Sequence, residues 1–137
     1  MSDYSRHMTN MLSIKTSEDD VMTNDGAITL YVIDFHRLLD NRWLTDNVIN
    51  AYFEMVYERS VAVEKLHKVG VLNSNFFTKL LSGGYKSVRK WMSSKRLKDA
   101  VMTFIPIHQD NHWSLMIINN SSKKVSYYCS LMRKTNY

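Results

Sequence analysis

What this sequence lacks narrows its reading first. It has one cysteine, Cys129, in 137 residues. No internal disulfide can form, which points to a reducing, intracellular compartment. No apolar run approaches the roughly 20 residues that span a bilayer, so no membrane partner is expected. The N-terminal stretch is polar and carries Glu18, Asp19 and Asp20, unlike a secretory signal. No block of five or more Lys or Arg occurs, and nucleic acid is not expected as a partner despite a formal net charge of +5. Glycine is scarce, and Gly83-Gly84 lacks both the G-x-G-x-x-G spacing and a preceding strand. A phosphate cradle is therefore not expected, and no cofactor is implied. The single proline, Pro106, falls in a strand pattern, where it marks an edge or an exit.

What is present suits one domain with its own core. Hydrophobic residues make up 45%, with three Trp, eight Tyr and five Phe, and nine Met point to an adaptable interior. Residues 1–27 read as a flexible leader ending at the turn signal Asn24-Asp25-Gly26, with an idle His7. Ile28 to Val32 suits a short strand, and Asp34 to Leu39 one or two helical turns. Thr45 is placed to cap a helix from about Asp46 to about Arg59, with Asp46 at the positive end of its dipole. Val48, Ile49, Tyr52, Phe53, Met55 and Val56 make this a core helix. Glu54 and Glu58 fall on its solvated side. Residues 60–73 read as a partly helical connector with exposed Glu64, Lys65, His67 and Lys68. A short helix from Asn75 to Leu81 should close at Ser82-Gly83-Gly84. A second amphipathic helix from Tyr85 to about Ser93 follows. Its Lys86, Arg89 and Lys90, extended by Lys95, Arg96 and Lys98, form either a solvated face or a surface for an acidic protein. Three strands come last: Val101 to Ile107, Trp113 to Ile118 buried on both faces, and Val125 to Leu131 after the turn 119–124.

The most suggestive residue is His112, a titratable imidazole at the mouth of a buried strand. A general base needs a nucleophile within hydrogen-bond reach and a group orienting its other nitrogen. Cys129 on the next strand is close enough for contact, since neighbouring strands lie about 5 Å apart. Periodicity alone makes that cysteine a small buried hydrophobe. His108 and His112 have the i, i+4 spacing of a zinc site on a helix, but Pro106 and the strand patterns put them in a loop. No metal site is expected.

Several blocks together carry a resemblance. They are Trp43-Leu-Thr-Asp-Asn-Val-Ile-Asn-Ala-Tyr52, then Asn75-Phe-Phe-Thr-Lys-Leu80 with Gly84-Tyr-Lys-Ser-Val-Arg-Lys-Trp91. Pro106-Ile-His108, His112-Trp-Ser-Leu115 and Lys124-Val-Ser-Tyr-Tyr-Cys-Ser130 complete the set. In order and spacing they resemble the ubiquitin-like-protein proteases, the SUMO-specific (sentrin-specific) cysteine peptidases, over residues 28–131. The resemblance implies an α+β, papain-like fold in truncated form. A helical N-terminal portion would pack on a three-stranded antiparallel sheet segment, and residues 132–137 would be a tail. It implies SUMO or another ubiquitin-like protein as partner, cleavage after Gly-Gly, and a location in the nucleus or nuclear envelope. By resemblance His112 is the general base of a Cys-His-Asp triad. Asp46 is a substrate-binding residue, and Trp43 and Trp113 wall a tunnel that only glycine fits.

Two departures from the family pattern bear on activity. Cys129 occupies the position of the family's triad Asp. A thiol is a poor acceptor with little charge, and losing that carboxylate in a serine-protease triad costs about 10⁴ in rate. The family's nucleophilic Cys and oxyanion-hole Gln lie well downstream of this position, whereas the chain given ends eight residues after Cys129. Cys129 is not expected to replace the nucleophile, because it lacks the helix N-terminus that lowers a thiol's pKa. The chain as given is expected to be inactive. A non-catalytic SUMO-binding module or decoy is the alternative.

Overall fold

The computed structural model describes residues 17–24, 28–40 and 42–131. Residues 1–16, the Asp25-Gly26 step of the expected turn and the expected tail 132–137 lie outside these. The chain divides into two compact units, Met1–Ala51 and Tyr52–Tyr137. Among the described residues, no helix is long and apolar enough to cross a membrane.

In the first unit, strand β1 (Val21–Asn24) pairs antiparallel with β2 (Thr29–Tyr31), with a bulge between Val21 and Thr23. Val21–Asn24 was expected inside a flexible leader. Its backbone is instead tied down at both ends of the pairing. The N–H groups of Val32 and Ile33 also donate to Asp20 and Glu18 carbonyls at 2.9 and 3.0 Å. Helix α1 (Val32–Leu39) follows directly, with Val32 and Asp34 buried. Helix α2 (Asp46–Ala62) then begins in this unit and continues into the second. Thr45 caps it as expected, its hydroxyl accepting the Val48 N–H at 3.3 Å.

In the second unit four strands lie in the order β3-β4-β5-β6. They are β3 (Val69–Val71), β4 (Met102–Gln109), β5 (His112–Asn119) and β6 (Lys124–Tyr128). The expected three-stranded antiparallel meander is β4-β5-β6. The fourth strand, β3, pairs parallel to β4 and was read as connector. Three residues are too few to show an alternating pattern. Between β3 and β4 run α3 (Asn75–Met92) and the one-turn α4 (Lys95–Lys98). Helix α3 is kinked where Gly84 adopts φ 62 and ψ −171, a region essentially closed to other residues. The kink therefore divides it at the glycine pair, as expected.

The core of this unit joins Leu72, Phe76, Val88 and Leu97 to Ile105 and Ile107 of β4. Alternation puts Ile105 and Ile107 on one face of β4 and Phe104 on the other, where Phe53 of α2 stacks at 6.1 Å. Thus β4, not β5, is the strand covered on both faces, and β5 is half-buried along its length. Pro106 is buried inside β4. Opposite it β3 has already ended, at Val71 beside Phe104, so its missing N–H interrupts no ladder on that side.

Helix α2 is less buried than a core helix. Tyr52 and Met55 are exposed, because its apolar residues encircle the helix while one side packs. Its Glu54, expected in solvent, forms an ion pair with Arg96 of the basic stretch, and the Arg96 guanidinium lies 3.5 Å over the Tyr57 ring. Arg96 is thus taken out of the proposed basic surface by a structural contact, while Lys86, Arg89, Lys90, Lys95 and Lys98 stay exposed.

Candidate active site

The hairpin linking β4 to β5 builds the site. Asp110 and Asn111 both take positive φ, 51 and 56, which gives a tight two-residue turn. His108 and Gln109 therefore end β4, and His112 opens β5 as the partner of Gln109. The expected loop is almost entirely strand. The sequence Asp-Asn at the turn was the available signal, because both residues tolerate left-handed backbone.

This register separates the two histidines. His108 faces Trp113 across the hairpin, with ring centroids 4.5 Å apart. It also lines an open groove of about 360 Å³ with Phe77, Thr78, Leu81, Ser82 and Gln109. His112, one residue before Trp113, turns to the other face and meets Cys129 instead. Its Nε2 lies 3.2 Å from Cys129 Sγ. The two histidines do not share the face that an i, i+4 spacing would give on a helix. No cluster of three or more His, Cys, Asp or Glu able to hold a metal exists among the described residues.

Cys129 lies one residue past the end of β6, and its Sγ donates to the Leu131 carbonyl at 3.2 Å. A thiol carries a single hydrogen. With that hydrogen on Leu131, the contact to His112 is satisfied when Nε2–H donates to sulfur. The lone pair of the neutral imidazole then sits on Nδ1. Nucleophile and base types are thus within hydrogen-bond reach of each other.

The other expected site residues stand in the first unit. Trp43 is 62% exposed, and its carbonyl accepts from Arg37 Nη1 at 3.3 Å. Asp46 is exposed in the first turn of α2. Asp34 was missed in the sequence. It is only 1% exposed, and its carboxyl group accepts from the Tyr31 N–H at 2.9 Å, from the Thr45 hydroxyl and from Asn47 Nδ2 at 3.4 Å. Its place three residues after the helix-capping Tyr31, where an acid can reach back to the cap N–H, was the legible signal.

Helices packed against a sheet, with an imidazole on the first residue of an inner strand, make an α+β arrangement. The comparisons with known proteins specify it further. The model of the Ulp1 protease family, C-terminal catalytic domain, matches residues 42–137. The sentrin-specific protease 2 of Rattus norvegicus is 32% identical over 118 residues, covering 85% of this chain and 20% of that protein. The ubiquitin-like-specific protease ESD4 of Arabidopsis thaliana is 40% identical over 102 residues, 69% of this chain and 21% of that protein. A solved SUMO protease Ulp1, with its catalytic cysteine oxidised to a sulfenic acid, matches with TM-score 0.81 and 27% identity. It covers all of this chain and 60% of the Ulp1 chain. A second solved structure, the C-terminal Ulp1 protease domain in complex with SMT3, the yeast ortholog of SUMO, matches with TM-score 0.72 and 29% identity over 93% of this chain and 56% of that one. The chain belongs to the Ulp1 protease family. It spans about a fifth of the length of these two curated relatives and shares the fold of the solved catalytic domains.

Proposed function

We propose that this chain carries the modifier-recognising and general-base portion of a SUMO-type cysteine peptidase, and that by itself it binds the modifier without cleaving it. The observation that carries the reading is the His112–Cys129 contact at 3.2 Å, in a chain of this family whose sole thiol is Cys129. His112 is the general base. Cys129 stands where the base needs an acceptor, and its S–H is turned to the Leu131 carbonyl rather than to an open approach. Neutral sulfur cannot stabilise an imidazolium as a carboxylate does.

Recognition rests on flat aromatic surface and charge. Trp43 and Trp113 each offer an indole to the extended Gly-Gly tail of the modifier. Asp46 offers an exposed carboxylate at the start of α2 to a basic group of the modifier. The partner is SUMO or a close ubiquitin-like relative, supported by the SUMO-bound structure of a family member. The reading places the chain with SUMO conjugates in the nucleus or at its envelope.

Two measurements test it. Titration calorimetry with SUMO should show binding that weakens in Trp43→Ala and Trp113→Ala. No detectable binding at high micromolar concentration removes the recognition half. A SUMO carrying a C-terminal electrophile should leave the chain unmodified over hours. The 3.2 Å contact is also the one that a reactive His112–Cys129 dyad would need, and an adduct on Cys129 in that experiment would establish that competing reading.

A further inference from the structure

Trp43 combines features that do not serve stability together. A large indole is left 62% exposed, while the backbone around it is pinned by buried polar chemistry. Asp34, on α1, is among the most deeply buried side chains of the chain. Burying a carboxyl group is unfavourable unless donors surround it. Here three donors do, and they come from both sides of the segment that carries Trp43. The Tyr31 N–H precedes α1, whereas the Thr45 hydroxyl and Asn47 side chain lie at the start of α2. Arg37, one helical turn beyond Asp34, adds the bond from Nη1 to the Trp43 carbonyl. Thr45 links the two ends of the network. Its hydroxyl donates to Asp34 and accepts from the Val48 N–H, so the same atom fixes the segment and starts the helix.

We infer that Asp34 is a positioning residue for ligand recognition. It ties the start of α2 to α1 so that Trp43 is held outward in one conformation before the modifier arrives. The inference rests on Trp43 acting in recognition, as proposed above. The physical gain is pre-organisation. An exposed aromatic on a free segment loses conformational freedom when it binds, and one already fixed does not. An exposed indole with a fixed backbone is also the type of residue that dominates binding energy at interfaces.

The test uses the whole chain labelled with 5-fluorotryptophan, which gives one fluorine resonance each for Trp43, Trp91 and Trp113. Trp43→Phe assigns the first. Asp34→Asn keeps the shape but weakens the tether: turned one way its NH2 faces the Tyr31 N–H and the Asn47 amide, and turned the other way it makes the Thr45 hydroxyl accept instead of donate. In folded Asp34→Asn the Trp43 resonance should move or broaden while those of Trp91 and Trp113 stay in place. A Trp43 resonance unchanged in position and width overturns the inference. The SUMO dissociation constant should rise about tenfold in Asp34→Asn, and the double variant with Trp43→Ala should bind no worse than Trp43→Ala alone. Additive losses also overturn it. Should Asp34→Asn not fold, Thr45→Val and Thr45→Ser take its place. Valine should reproduce the fluorine and affinity changes, serine should restore the wild-type values, and equal behaviour of the two would refute the tether. If Trp43→Ala binds SUMO as well as the wild type, the role of Trp43 in recognition fails, and the fluorine spectrum still decides whether Asp34 positions it.

Discussion

At the scale of the residue, a sulfur beside an imidazole decides how the ring is oriented. A chain of contacts runs from His112 Nε2 through Cys129 Sγ to the Leu131 carbonyl and orients the ring. Nitrogen-15 correlation spectra of neutral His112 should therefore show the proton on Nε2, and Cys129→Ala should return the ring to a mixture of tautomers. Equal tautomer populations in both proteins would show that sulfur does not orient the ring. Glu54 supports a second residue-scale prediction. Its removal leaves the Arg96 guanidinium, whose Nε is buried and has no hydrogen-bond partner among the described residues, without its ion pair. Glu54→Ala should lower stability by about 1–2 kcal/mol in urea unfolding, at the lower end for a pair that water partly reaches. His112 and Cys129 were both legible as a pair from strand spacing. The Glu54–Arg96 pair was not, because 42 residues separate the partners and no local pattern links them.

At the scale of the element, two glycines do different work. Gly84 has nothing within 4 Å of where a Cβ would stand, yet its φ of 62 kinks α3. Gly70 has ordinary backbone, but an added Cβ would meet Leu97 Cδ2 at 2.6 Å and Thr103 Oγ1 at 3.2 Å. Leu97 is buried and cannot simply swing away. Gly70→Ala should cost about 1–3 kcal/mol by overpacking α4 against β3. Gly84→Ala should cost about 1 kcal/mol or more by strain alone, with the Tyr85 half of α3 redirected. Calorimetric melting of both variants checks the pair, and a neutral Gly70→Ala would contradict the close approach. The helices on either side of Gly84 were legible, since glycine punctuation and helical spacing are both local signals. Strand β3 was not. Its identity comes from pairing with β4, and Val69-Gly70-Val71 has no periodicity of its own.

At the scale of the whole molecule, β6 is the outer strand of its sheet among the described residues, and every residue of it is exposed. Val125, Tyr127 and Tyr128 place apolar surface beside a strand edge that no other strand among the described residues pairs with, the combination that promotes edge-to-edge association. Light scattering should report concentration-dependent self-association that Val125→Lys reduces. A monomer at all concentrations would count against the edge as the sticky element. The parallel placement of β3 has a kinetic consequence. The strands β4, β5 and β6 are joined by short turns and can zip up from local contacts. Strand β3 reaches its slot only after the whole crossover from Val71 to Met102 has been gathered in, so its closure entropy is met late. The folding transition state should then contain the β4–β5 hairpin and little of β3. Gly70→Ala would accelerate unfolding while leaving the refolding rate nearly unchanged, so the same three residues would set how long the native state survives rather than how quickly it forms.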